Sequence, residues 1–266
     1  MIIDFHTHVF PDELAPRAIS TLKTNAPEMH NFTDGTAAGL KESMRKNGIE
    51  KSIIMQIATR PSHVRTINQD ACTRSDDKLL FFGTLHPADT NFVQEIRFLK
   101  DVGVPGVKFH PEYQDFYVDS PQMFPFYEAL EQAGLIVLFH AGKDPGPFTS
   151  DHALPEALRA VTRNFPRLKM VAAHMGGWQV WEDVEQRLAG ENTFFDTSAI
   201  NRHLPKAAFE QLVAKHGAER VLFGSDSPWY DQGEALRWLD STSLSARQKE
   251  LIFWQNARNL LSGSVQ

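Results

Sequence analysis

Ile2-Ile3-Asp4-Phe5-His6-Thr7-His8 opens the chain with a short apolar run that ends in two histidines one residue apart. A run this short, rich in Ile and Phe, reads as a parallel strand covered on both faces. The same signature recurs at Ile2–Phe5, Ser52–Ile57, Leu79–Leu85, Gly106–His110, Leu135–His140, Leu168–His174, Thr193–Thr197 and Arg220–Ser225. Segments of helical period lie between the runs. Phe92, Ile96, Leu99 and Val102 form one stripe in Thr90–Val102, and Phe124, Tyr127, Leu130 and Ala133 form another in Ser120–Ala133. Ser150–Phe165 carries Leu154, Leu158, Val161 and Phe165, and a last helix is expected over Ser245–Leu261. Gly48, Gly103, Gly134 and Gly217 follow helical segments, where a left-handed cap is wanted.

Strict alternation of strand and helix predicts a parallel sheet. Eight such repeats in 266 residues match a closed barrel. The expected fold is therefore of the α/β class, a distorted (β/α)8 TIM barrel forming a single domain over residues 1–266. No Gly-rich phosphate loop follows the first run, which argues against a doubly wound open sheet. Phe10 to Asp34 is expected to be a long loop over the barrel mouth.

Composition narrows the function. Hydrophobic residues make up 42% and charged residues 23% of the chain, and the formal net charge is −6. An acidic balance argues against a nucleic-acid partner, though a local cation can still draw a small anionic substrate. The one cysteine, Cys72, permits no internal disulfide and fits a reducing compartment. The first residues lack the basic start and long apolar stretch of a leader, and Leu135–Phe139 is too short to span a bilayer. A cytoplasmic protein without membrane contact is expected. A symmetric homodimer is the default assembly.

The histidines fall at strand ends. His6 and His8 close the first strand, His110 the fourth, His140 the fifth and His174 the sixth, and Asp226 follows the eighth. In a closed barrel the C-terminal ends of the strands converge on one rim. Side chains alternate along a strand, so His6 and His8 share a face. Two imidazoles on one face can chelate a divalent ion, and His140 and Asp226 complete a nitrogen and oxygen ligand set. Zn2+ is the default ion and Mn2+ the alternative. Lys108 and His110 share a face at the same rim. Arg60 follows the second strand and could hold a substrate carboxylate, Trp229 could wall the pocket, and Asp196 could orient a ligand histidine.

Taken together, Ile3-Asp4-Phe5-His6-Thr7-His8, Gly106-Val107-Lys108-Phe109-His110-Pro111, Phe139-His140-Ala141-Gly142, Ala173-His174-Met175-Gly176-Gly177 and Phe223-Gly224-Ser225-Asp226-Ser227-Pro228-Trp229 resemble the amidohydrolase superfamily. The likeness is to its amidohydrolase-related branch, which includes aminocarboxymuconate-semialdehyde decarboxylase, resorcylate decarboxylase and several lactonases. The closing Asn256-Ala257-Arg258-Asn259-Leu260-Leu261 is similar to that branch's last helix. The resemblance implies that His6, His8 and His140 are metal ligands. It implies that Asp226 binds the metal or moves a proton, and that His174 contacts substrate or acts as acid or base. It leaves room for a second metal bridged by a carbamylated Lys108, although one metal is the expectation. Hydrolysis of an ester, lactone or amide by a metal-activated water is the first expected activity. Non-oxidative decarboxylation or hydration of an unsaturated or aromatic acid is the second. The substrate is expected to be small and to bear a carboxylate. A non-catalytic metal-binding barrel is the remaining class, and it would need neither Asp226 nor His174 beside the ligands.

Overall fold

The computed structural model describes residues 1–263, so positions 264–266 of the expected domain lie outside the described residues. The strands are β1 (Ile3–Thr7), β2 (Lys51–Ile54), β3 (Leu79–Phe81), β4 (Gly83–Thr84), β5 (Gly106–Phe109), β6 (Ile136–Phe139), β7 (Lys169–Ala172), β8 (Phe194–Asp196) and β9 (Val221–Leu222). All ladders are parallel, and they form one sheet ordered β1-β2-β3 and another ordered β4 through β9. The run read as one strand, Leu79–Leu85, is thus two pieces separated at Phe82. Gly83, just after the break, sits where a Cβ would lie 2.6 Å from the Leu99 side chain, so a helix presses closely there.

Beyond β9 the chain closes the ring against β1. The Phe5 N–H donates to Phe223 O at 2.7 Å, Asp226 N–H to His6 O at 2.8 Å and His8 N–H to Ser227 O at 2.6 Å. The result is a distorted (β/α)8 barrel. Alternation sorts its side chains: Ile136 and Leu138 of β6 face the barrel interior, while Val137 and Phe139 face the helices. Phe5, Ile53, Phe82, Val171 and Leu222 join Leu138 in the interior, and Ala257 and Leu260 of the closing helix pack against them. The lower barrel is therefore an apolar plug, and the polar groups sit at the other end.

The helices Phe92–Asp101, Phe124–Ala133 and Pro155–Asn164 fall within the segments expected from periodicity. The closing helix is interrupted. A π turn at Leu251–Gln255 separates Ala246–Glu250 from Asn256–Ser262. The Phe223 N–H donates to Ile252 O at 2.9 Å, so a strand amide takes a carbonyl out of the helical ladder. Phe10 to Asp34 is not all loop: it contains the helix Ala15–Asn25, with a proline in its first turn. Its apolar residues Ile19 and Leu22 are three apart, a spacing too brief to stand out in the sequence. Among the described residues no helix is long and apolar enough to cross a membrane.

Helix Lys206–His216 ends in a buried histidine. The His216 ring stacks on Phe195 at 3.8 Å, its Nδ1 accepts from the Gly190 N–H at 3.1 Å, and its Nε2 donates to Thr193 O at 3.0 Å. Burial, reinforced by Arg220, pushes its pKa down to about 3. The unfolded imidazole takes a proton near pH 6.5 while the folded one does not, so stability present above that pH is lost as pH falls towards 3. Replacing His216 by Gln should remove about one proton's worth of slope, at most about 1.4 kcal/mol per pH unit, from stability measured by urea unfolding between pH 6 and 4. An unchanged slope would show that His216 does not carry this acid sensitivity.

Candidate metal centre

Parity along β1 places Ile3 and Phe5 in the barrel interior. His6 would then point outward, yet it lines the central cavity. The register with β2 explains this: it slips between Asp4 and Thr7, a bulge that resets the alternation. His6 and His8 keep their common face, as expected. His174 is turned in by a different device. It follows the inward Ala173 and has a left-handed backbone with φ 58°. Asp226 is also left-handed, with φ 69°. Gly224 leaves the floor open, because a Cβ there would come within 3.0 Å of His6 Cβ.

The ligand atoms of His6, His8 and Asp226 all lie within 4.8 Å of one another. Their hydrogen bonds define which nitrogen is bare. His8 Nδ1 lies 2.9 Å from Met55 O, which can only accept, so Nδ1 carries the proton and Nε2 offers a lone pair. His6 Nδ1 lies 2.8 Å from Asp196 Oδ2, which likewise leaves Nε2 bare. Both bare nitrogens face Asp226 Oδ1, at 3.6 Å from His6 and 3.2 Å from His8. Three acceptors converge, and they repel unless a positive charge stands among them. A second proton on His6 is opposed by burial and by Lys108, which hold its pKa well below the ordinary value. Lys108 Nζ lies 3.5 Å from His6 Nε2. Its own pKa is pushed down by burial to about 8, with Asp196 and Asp226 opposing that shift. The donor set fits a divalent cation.

The structure divides the expected ligands. His140 belongs to a separate group with His110 and Asp144, and it reaches the first group through His174. His140 Nε2 donates to Lys143 O at 2.9 Å, which leaves Nδ1 bare and 3.1 Å from His174 Nε2. His174 Nδ1 lies 3.1 Å from Ser198 O, so its Nε2 is bare as well. Two more lone pairs therefore face each other, and the pKa of each ring is lowered, first by burial. The His110 group differs. Its ring stacks on His140 at 4.3 Å and 9°, and the Nε2 atoms of both rings face Asp144 Oδ2, at 3.3 Å from His110 and 3.5 Å from His140. His110 Nε2 lies 3.3 Å from Asp144 and Nδ1 3.5 Å from Glu112. Burial opposes a charge on His110, but these two carboxylates prevail and raise its pKa. With two carboxylates beside it and His140 Nε2 donating to Lys143 O, this group favours a proton on His110 over a metal ion.

Asp196 and Ser198 hold the rings in place. Ser198 Oγ lies 3.0 Å from His6 Nδ1 and 2.8 Å from His174 Nδ1, and it donates to Asp196 Oδ1. Asp196 orients His6, as its strand position suggested. Ser198, Asp144 and Glu112 were not foreseen, because ordinary Ser and Asp residues beyond strand ends carry no spacing signal. Trp229, Lys108 and His110 line the cavity. Arg60 does not: it lies exposed, with the extended backbone usual before a proline, and is absent from the cavity wall. His152, which reads as a surface position, is buried, and its N–H donates to Glu112 Oε1 at 3.0 Å.

A family model described as amidohydrolase matches residues 3–262. Gamma-resorcylate decarboxylase of Polaromonas sp. strain JS666 is 23% identical over 283 residues, covering 90% of this chain and 81% of that protein. Among solved structures, an uncharacterized TIM-barrel protein from Bordetella bronchiseptica superposes with a TM-score of 0.78 at 22% identity, covering 100% of this chain and 99% of its own. A dihydroxybenzoic acid decarboxylase from Polaromonas sp. JS666, with bound manganese and 2-nitroresorcinol, superposes with a TM-score of 0.76 at 19% identity, covering 98% of this chain and 96% of its own.

The geometry makes Asp196 the group that keeps the His6 lone pair aimed inward. Asp196→Asn should weaken divalent-metal affinity about 10- to 100-fold, read by competition with a chelating dye. Affinity within a factor of two of wild type would remove Asp196 from that role.

Proposed function

The chain belongs to the amidohydrolase family, and on that premise we propose that it is a metal-dependent decarboxylase releasing carbon dioxide from a small aromatic or unsaturated carboxylic acid. The observation that carries this reading is the pairing, in one cavity, of the convergent acceptors of His6, His8 and Asp226 with the buried ammonium of Lys108. Such a pair provides a place for a carboxylate beside two positive centres. The matched decarboxylases weigh for carbon–carbon cleavage over the hydrolysis expected first from the sequence. Hydration of an unsaturated acid is a variant on the same site.

His6, His8 and Asp226 would hold one divalent ion within one domain over residues 1–266, and His140, expected as a fourth ligand, instead faces His174 Nε2 at 3.1 Å and would support the site from there. Mn2+ stands beside Zn2+ as the candidate, since a neighbouring decarboxylase structure holds manganese. When bound, the ion supplies positive charge that draws electron density from the substrate's oxygens. Lys108 stays an ammonium rather than a carbamate bridge and pairs with the substrate carboxylate. The bond from the carboxylate to its carbon breaks, carbon dioxide leaves, and the electron pair stays on carbon until a proton reaches it. Asp226 lines the cavity between His6 and His8; as a carboxylate it would first take a proton from water entering the cavity and then pass it to that carbon. His174, kept neutral first by burial and then by His140 and His6, contacts the substrate beside it. His110 and Trp229 complete the wall.

Chelation should abolish carbon dioxide release from ortho-hydroxybenzoates, and Mn2+ or Zn2+ should restore it. Asp226→Asn should lower kcat by about 10²- to 10⁴-fold. Turnover of esters or lactones with no carbon dioxide released across the acid panel would falsify the decarboxylase reading and favour hydrolysis. Lys108→Met should raise KM about 10- to 100-fold, the worth of a hydrogen bond to a charged group, with a smaller change in kcat. Steady-state kinetics on the metal-loaded protein separates the two constants.

A further inference from the structure

The cavity is larger than a one-ring acid requires. It encloses about 580 Å3, a size that goes with drug-sized ligands. It has two parts. One is the polar basin formed by His6, His8, Lys108, His174 and Asp226. The other leaves the barrel mouth as a cleft. Leu22 and Ala26, at the end of helix Ala15–Asn25, form one wall, and Ile67, Asp70 and Arg74 of helix Val64–Arg74 form the other.

Ile67, Asp70 and Arg74 are three and four residues apart, so they make one stripe along about 10 Å of helix surface. The cavity lining there includes the apolar residues Leu22, Ala26, Met55, Ile57 and Ile67. Helix Val64–Arg74 ends in charge. The Arg74 guanidinium lies 4.0 Å from Asp70 and stacks over the Phe81 ring at 4.9 Å. The wall nearest solvent is thinly anchored, since Ala15 is the one buried residue of helix Ala15–Asn25. An apolar group entering the cleft would remove apolar surface of both helices from water, which favours its residence there.

From this shape we infer that the substrate is a carboxylic acid with an apolar extension about one further ring in length. The reacting carboxylate lies at Lys108, and the extension runs along the cleft towards Arg74. The inference rests on the decarboxylase reading for the reacting group and adds the shape of the rest of the molecule.

The test uses the full metal-loaded chain and two acids: a one-ring ortho-hydroxybenzoate and the same acid bearing a phenyl substituent. Both kcat/KM and the dissociation constant, by calorimetry, are measured. The extended acid should be preferred by about tenfold or more in each. Ile67→Trp and Leu22→Trp fill the cleft from opposite walls, and each should lower that preference about tenfold. Two variants are used so that misfolding of one leaves the other to decide. Equal constants for the two acids, or a preference untouched by either folded variant, overturns the inference. Tighter binding of the extended acid without carbon dioxide from either acid would support the cleft assignment and count against the decarboxylase reading alone.

Discussion

Three hydrogen-bond acceptors aimed at one point govern the upper half of this molecule. His6 Nε2, His8 Nε2 and Asp226 Oδ1 are bare because Asp196 and Met55 O take the opposite ring protons, and because a carboxylate has none to give. In water such a cluster would spread apart. Here the strands that carry it are tied to each other by the bonds that close the barrel, so repulsion cannot be relieved by moving. Lys108 supplies positive charge from one side, and the donor set fits a divalent cation.

A second layer of buried polar groups keeps the first in place. Asp4 accepts from the Ser225 N–H at 2.9 Å, Ser225 Oγ at 2.6 Å and Gln232 Nε2 at 2.8 Å, all on the outer side of the rim. Burial raises its pKa to about 6 against those hydrogen bonds. Asp4 thereby fixes the residue preceding Asp226, while the Asp196 and Ser198 pair fixes His6 and His174. Buried polar groups are costly unless paired, and nearly every lone pair in this layer has its donor. The apolar plug of Phe5, Leu138 and Leu260 below sets the depth at which the polar layer begins.

Two groups of similar composition behave differently for a geometric reason. Both pairs bring two ring nitrogens to one carboxylate oxygen, but His6 and His8 are tilted at 60° with Nε2 free of a proton, whereas His110 and His140 are stacked at 9° and His140 Nε2 donates to Lys143 O. Lone pairs turned inward favour a cation among the rings, and a second carboxylate, Glu112, beside His110 favours a proton there instead. Composition alone, two histidines and an aspartate in each case, would not distinguish the two. The cavity above both groups is roofed by a helix that buries little of itself, so its shape depends on the residues of that roof as much as on the barrel.

The parallel barrel was legible in the chain because strand periodicity and strand-to-helix alternation are local properties, expressed within a few residues. The same holds for the shared face of His6 and His8 and for the strand-end positions of Lys108, His110, His140, His174 and Asp226. Packing alone decided the rest. The bulge in β1 that turns His6 inward depends on the register with β2. The break at Phe82 depends on how closely a helix approaches Gly83. The π turn depends on a strand amide reaching Ile252. The exclusion of Arg60 from the cavity and the recruitment of Ser198, Asp144 and Glu112 depend on distances between segments far apart in the chain. Periodicity records which face a residue occupies on its own element, but it holds no record of what stands opposite.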